Sequence, residues 1–423
     1  MALVDLALDA PQLLQQIHAL GAIGQDPALG GRTRIALSDD EKAGRDQLLR
    51  WMHELALEVR IDQVGNIFGI LQADEAAAGD AATESGRPLM MGSHIDTVRQ
   101  AGALDGCYGV LAGLAVLRAF RQAGRRPRRA LVVAAFTNEE GVRYQPDMMG
   151  SLVHAGGLSV QAALDTVGTD GSRLGDELAR IGYAGDMVPG SLVPQAYLEL
   201  HIEQGPVLEA EGLQIGVVEN LQGISWQRVD IQGTANHAGT TPMRLRHDAG
   251  YAAAACIAFL REQVAATPPG TTLATTGSLR LAPDLINVIP RQASFTVDLR
   301  DPDEQRLRAA EQRLTGFMAD LARREGVRIE TESLVRFEPV VFDPVLTGRI
   351  EAAARRLGLS HRRMTSGAGH DAQMMARICP AAMIFVPSRG GISHNPREHT
   401  DEAQLLQGAQ VLLEVVQDCL ASA

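Results

Sequence analysis

Five stretches of this 423-residue chain put imidazole or carboxylate groups directly after an apolar run or just before a helix. "PLMMGSHIDTV" ends in His94 and Asp96, "GALDG" presents Asp105, and "ALVVAAFTNEEG" ends in Glu139 and Glu140. "AYLELHIEQG" carries His201 and Glu203 at a period of two, on one face of a strand, and "AAMIFVPSRGGISHNP" leads to His394. A lone histidine or aspartate at a strand end is most often a capped loop residue, and two adjacent glutamates are most often a solvated turn. Five such placements converging on one sheet edge argue against that reading. Imidazole with carboxylate suits zinc, manganese, nickel or cobalt, whereas an all-oxygen set would suit magnesium or calcium. The four cysteines are far apart and form no C-x-x-C pair, so neither a disulfide framework nor a thiolate zinc site is expected. A catalytic metal is favoured over a structural one.

The elements that must present these groups alternate between strand-like and helical patterns. "SDDEKAGRDQLLRWMHELAL" opens with Ser38 and Glu41 at capping-box spacing and continues at helical period. "VGNIFGIL", a polar Ala/Gly-rich loop at 73–87, "PLMMGSH", a Gly/Ala-rich helix from Cys107 to Phe120 and "ALVVAAFT" follow. The alternation predicts an α/β fold, a doubly wound and mostly parallel sheet, with ligands bound beyond the carboxyl ends of its strands. The texture changes after "LHIEQGPVLEAEG". Residues 217–331 predict a smaller α+β insert, two strands' worth of sheet around two helices, the second running from Asp303 to Arg324. The expected organisation is a discontinuous catalytic domain, 1–216 with 332–423, interrupted by a lid and dimerisation domain.

Composition narrows the partners. Asp plus Glu number 51 against 39 Lys plus Arg, and the net charge of −12 repels phosphate backbones and anionic lipid, so no nucleic acid and no membrane partner is expected. The opening "MALVDLALDAPQLLQQ" lacks a basic leader and an uninterrupted apolar core, which disfavours export. A reducing cytoplasm is the expected location. The glycines of "GAGH" and "RGGISH" have neither dinucleotide nor Walker spacing, and Ser93 and Ser366 lack a nucleophile elbow.

Taken in order and spacing, "GSHIDTV", "GALDG", "NEEG", "LHIEQGPVLE", "NHAGTTPM", "INVIP", "SGAGHDA" and "ISHNP" resemble the dinuclear-metal amidohydrolases of the aminoacylase/carboxypeptidase metallopeptidase clan. More narrowly they resemble its hydantoinase/carbamoylase branch: N-carbamoyl-L-amino acid amidohydrolases, allantoate amidohydrolases and β-ureidopropionases. The resemblance implies two divalent ions (Zn, Mn, Co or Ni) bridged by Asp105, one also held by His94 and His201, the other by Glu140 and His394. It implies that Asp96 orients His94 and fixes its tautomer, and that Glu139 is the general base. Peptidase members of the clan usually carry a carboxylate where this chain has His201, which argues against a peptidase.

The same resemblance assigns the insert a share of the site. His237 would polarise the scissile carbonyl, reaching in from the partner subunit of a homodimer. Asn287 and Arg300 would hold the polar, carboxylate end of a small ureido substrate. The competing reading for Arg300 is a surface salt bridge with Asp301 or Asp303. Gln204, Gly369 and His370 would complete the pocket. The activity so implied is hydrolysis of an N-carbamoyl amino acid to the amino acid, carbon dioxide and ammonia, with an allantoate amidohydrolase or a β-ureidopropionase as the alternatives. A binding protein that keeps the fold without turnover is the alternative of a different class.

Overall fold

Four short runs, "LMMGSH", "LVVAAF", "AYLELHI" and "AAMIFV", leave little room for a solvent-facing residue, and each becomes a strand in which every residue is buried. A computed structural model describes residues 6–74 and 86–421 of the chain. Most of the Ala/Gly-rich loop expected at 73–87 lies outside those residues. The four strands lie side by side and parallel, in the order Leu131–Phe136, Leu89–His94, Ala196–Ile202, Ala381–Val386. They form the centre of a nine-stranded sheet and are flanked by antiparallel neighbours, Ile67–Leu71 on one side and Ile215–Leu221 on the other. Strands buried on both faces require helices above and below.

The helix Cys107–Gln122 shows how tightly that cover fits. It carries no charged residue before Arg118, and thirteen of its residues are buried. A Cβ at Gly109 would stand 2.5 Å from the Leu200 carbonyl oxygen, so this face of the helix must lack a side chain to approach the sheet. The expected helix at Ser38 begins at Asp39. Ser38 Oγ accepts the Glu41 amide, but the Glu41 carboxylate reaches back to the amide of Leu37, one residue before the cap.

The chain divides into two compact units, Met1–Glu219 with Phe342–Ala423, and Asn220–Val341. The second unit holds a five-stranded antiparallel sheet, more than the two strands' worth expected, because "TTLATTGSLRL" splits into two strands that both pair with Gln292–Asp301. Its far boundary lies ten residues beyond 331, since Arg328–Phe337 pairs along its length with Gly223–Gln232. Helices Ala249–Phe259 and Glu304–Glu325 pack on that sheet around Val229, Phe295, Leu307 and Leu314. Among the described residues no helix is long and apolar enough to cross a membrane.

One glycine joins this fold to the chemistry. Gly106 caps the helix Cys107–Gln122 at φ 65°, and a Cβ there would meet the His94 ring at 2.4 Å. Gly106→Ala should therefore displace His94 as well as strain the backbone, with a combined cost of roughly 2–5 kcal/mol from overpacking and left-handed geometry. Gly124→Ala is the control, since Gly124 has a similar φ of 61° and nothing within 4 Å of its Cβ position. Chemical denaturation should show the larger loss at position 106; equal losses at the two sites would mean that His94 yields freely.

Candidate metal centre

Because the central strands are parallel, their carboxyl ends share one edge, and the polar residues that follow them meet there. His94 ends its strand opposite Phe136, so the next residues of the neighbouring strand, Thr137–Glu140, lie beside it. His201 stands opposite Phe385. Three groups of potential ligand atoms result among the described residues, each within 4.8 Å: His94–Asp105–His201 and Asp105–Glu140–His394, which share Asp105, and the deeper Glu199–His201–His370. Asp105 Oδ1 is 3.2 Å from His201 Nε2 and 3.7 Å from His94 Nε2, while Oδ2 is 3.0 Å from His394 Nε2.

The tautomers of the two buried histidines follow from their other ring nitrogens. His94 Nδ1 is 3.0 Å from the Asp96 main-chain oxygen, and His201 Nδ1 is 2.8 Å from that of Ile202. A carbonyl only accepts, so each Nδ1 carries a proton and each Nε2 faces Asp105; His201 Nε2 also lies 3.0 Å from the Gly106 amide, which donates to it. The expectation for Asp96 needs correction here. Its main-chain carbonyl, not its carboxylate, meets His94; the carboxylate oxygen is 3.7 Å away, too far for a hydrogen bond. Instead the Asp96 carboxylate accepts the amides of Glu139 and Glu140 at 3.2 and 3.3 Å, and so holds the loop that carries them.

That loop is braced from below as well. Arg45, fully buried and paired with Glu41 at 2.5 Å, donates to Thr137 Oγ1, and Asn66 Oδ1 accepts the Thr137 amide at 2.9 Å. Asn138, Gln204 and His394 adopt positive φ angles of 56°, 55° and 53°. Left-handed backbone at non-glycine residues costs about 1–3 kcal/mol each and persists where the surroundings enforce it.

Charge makes the strongest demand at this edge. Asp96, Asp105, Glu139, Glu140, Glu199, Asp371 and Glu398 are all buried or nearly so, and among the described residues no lysine or arginine hydrogen-bonds to any of them. Burial, then repulsion from Asp371, Glu140, Asp105 and Asp96, pushes the Glu139 carboxyl well above its usual range. Glu140 is pushed up by burial and by Asp105 and Asp96. Burial lowers His94 to about 4, keeping it neutral. His201 is pushed up, burial being outweighed by its contact with Asp105, and His394 is pushed up chiefly by its hydrogen bond to Asp105. Imidazoles converging with several crowded carboxylates form a donor set suited to divalent transition ions.

The other expected residues fall into two sets. Gln204 Nε2 donates to Asp105 Oδ2 at 2.7 Å, so in this state it serves the shared carboxylate. Gly369 and His370 precede the short helix Asp371–Met375; His370 is buried, edge-on to His201 at 4.5 Å, with Nε2 lacking a partner. Glu203 does not join the cluster, because its carboxylate accepts the amides of Val207 and Leu208 at the start of the next helix. In the second unit His237 and Asn287 are exposed and adjacent in main-chain pairing, the Ala238 amide donating to the Asn287 oxygen. Arg300 forks onto Asp298, two residues earlier on the same strand face, and not onto Asp301 or Asp303. Missed at the sequence level were Glu199, Asp371 and Glu398. Glu199 had a signal, since it shares the period of two with His201; its carboxylate accepts from Ser93 Oγ and the Ala372 amide.

If Asp105 is shared between two ions, Asp105→Ala should lose both, whereas His394→Ala should weaken mainly one. Elemental analysis after dialysis reads this directly, and two ions retained by Asp105→Ala would exclude the shared ligand.

Known proteins resemble this one along nearly the whole chain. Residues 90–418 match the model of peptidase family M20/M25/M40. An N-carbamoyl-L-amino-acid amidohydrolase of Rhizobium meliloti is 36% identical, with 97% of this chain and 96% of the relative covered. An allantoate amidohydrolase of Escherichia coli (strain K12) is 34% identical over 93% of this chain and 94% of its own. The crystal structure of an amidase of the hydantoinase/carbamoylase family from Burkholderia multivorans superposes with a TM-score of 0.91 at 38% identity, covering 98% of each chain. The chain belongs to peptidase family M20/M25/M40 and, within it, to the hydantoinase/carbamoylase amidases.

Proposed function

We propose that this amidohydrolase cleaves the ureido C–N bond of small N-carbamoyl amino acids, consuming one water and releasing the amino acid, carbon dioxide and ammonia. The observation that carries this reading is Asp105, shared by two imidazole–carboxylate groups, while Glu139 belongs to neither and keeps its carboxylate 3.4 Å from His94 Nε2. In this proposal His94 and His201 with Asp105, and Glu140 and His394 with Asp105, hold two divalent ions of the Zn, Mn, Co or Ni class. Ions bound there supply Lewis acidity toward the scissile carbonyl. Glu139 takes a proton from the attacking water and delivers it to the departing nitrogen, a role suited to a carboxylate whose proton affinity its surroundings raise.

The second unit supplies the substrate's other contacts. His237 Nδ1 accepts the amides of Gly239 and Thr240 at 3.0 and 3.1 Å, so the neutral ring carries its proton on Nε2 and acts outward as a donor. That tautomer suits hydrogen bonding to a carbonyl oxygen as it gains charge. Asn287 and Arg300 hold the carboxylate end, with Asp298 keeping the guanidinium on its strand face. A homodimer formed through this unit belongs to the same proposal. The helix Ala249–Phe259 exposes Tyr251, Ala254 and Ala258 although it is apolar all round, and the edge strands leave Leu273, Leu279 and Leu281 exposed. We place the enzyme in the cytoplasm, in keeping with four free, buried cysteines.

Ammonia release from N-carbamoyl-L-amino acids, N-carbamoyl-β-alanine, allantoate and ureidoglycolate, with manganese or zinc supplied, tests the substrate. Preference for N-carbamoyl-L-amino acids is expected; preference for allantoate would replace the reading, and turnover of none would leave a binding protein. Glu139→Gln should lower turnover by roughly two to four orders of magnitude with metal content unchanged, and near-normal turnover would move the base elsewhere. Subunit exchange between inactive His237→Ala and inactive Glu139→Gln should restore about a quarter of wild-type activity, since random pairing makes half the dimers hybrids with one intact site each. No recovery after verified exchange would confine His237 to its own subunit's site.

A further inference from the structure

We infer that Glu398 is a positioning residue for Asp105: it grips the main chain of the loop that presents the shared carboxylate. The inference rests on the reading of Asp105 as a ligand of both ions. Asp105 lies on an irregular turn between Ala101 and the helix Cys107–Gln122, with no strand or helix of its own to set its direction. One oxygen of Glu398, nearly three hundred residues away in sequence, accepts two consecutive amides of that turn, Leu104 at 2.8 Å and Asp105 at 3.3 Å. Its other oxygen accepts Ser393 Oγ at 2.8 Å, beside the His394 that faces Asp105 from the opposite side. Glu398 thereby ties together the two segments that bring Asp105 and His394 face to face.

The space for this grip is built in. A Cβ at Gly102 would lie 2.1 Å from Glu398 Oε1 and 2.2 Å from its Cβ, so the turn must lack a side chain where the glutamate enters. Glu398 is only 9% exposed. Its geometry repeats what Asp96 does for the loop of Glu139 and Glu140, again one buried carboxylate accepting two successive amides. A carboxylate needed in two directions at once tolerates little rotation, and partners that orient ligands are worth about 10–100-fold in metal affinity.

Three variants of the full chain test this: Glu398→Ala, Glu398→Gln and Gly102→Ala. Hydrogen exchange at the Leu104 and Asp105 amides, measured on metal-free protein, should speed up about 10-fold or more in Glu398→Ala and in Gly102→Ala. The amides of Leu89–His94 should remain protected, which separates local release from unfolding. Zinc titration of the same proteins should show about 10–100-fold weaker binding. Glu398→Gln keeps an oxygen that can accept both amides, so it should retain protection and affinity. Unchanged exchange in Glu398→Ala overturns the inference, as does a Gln variant that loses protection as fully as Ala, because charge and not amide acceptance would then be holding the turn. Should Glu398→Ala fail to fold, Gly102→Ala and Glu398→Gln decide alone. If instead Asp105→Ala keeps both ions while Glu398→Ala frees the amides, the grip stands and the shared-ligand reading falls.

Discussion

The carboxyl edge of the central sheet confines more negative charge than water-poor surroundings normally allow. Burying one unpaired carboxylate is costly, and crowding several together adds mutual repulsion. Each group at this edge meets the cost in a definite way. Asp96, Glu199 and Glu398 accept main-chain amides. Burial alone would raise Asp105, but the imidazoles around it outweigh burial and hold its carboxyl well below the usual range. Glu139 and Glu140 have the least compensation, which is why the edge suits divalent cations and why a proton on Glu139 is easily held.

This division separates groups that converge on the edge from groups that hold them there. The histidines and carboxylates facing the centre come from four strand ends and one helix start. His94 and His201 are held by nearby main-chain oxygens, and the carboxylate loops by partners from distant parts of the chain: Arg45 and Asn66 beneath Thr137, Asp96 beneath Glu139, Glu398 beneath Asp105. The separations among the converging groups are thus set by contacts that lie behind them. The second unit follows different rules. His237 and Asn287 stand on exposed loops over a small antiparallel sheet, and main-chain pairing keeps them together.

The parallel sheet and the convergence of His94, Asp105, Glu140, His201 and His394 were legible in the chain because an apolar run that stops abruptly at imidazole or carboxylate marks a buried strand reaching a ligand edge. Residues whose partners lie far away were not. Glu398 reads as a loop glutamate until Gly102 is seen to make room for it. Asp96 was recognised by its spacing from His94, yet spacing cannot tell a side-chain acceptor from a main-chain one. Glu203 satisfied the same alternation as His201 but turned to cap a helix one step beyond the strand. The split of "TTLATTGSLRL" into two strands was hidden because both halves carry the same texture, and only their separate pairing with Gln292–Asp301 divides them.

The locking of His94 and His201 by main-chain oxygens bears on how such a protein can vary. A side-chain partner can be deleted by a single codon change, and its loss tunes the ligand it served. A carbonyl is present whatever residue occupies the position, so the proton on each Nδ1 is inherited with the fold and is out of reach of point mutation. Variation that adjusts the edge is therefore channelled into the carboxylates that grip the loops, while the proton on Nδ1 of each buried imidazole stays constant among descendants that keep the sheet.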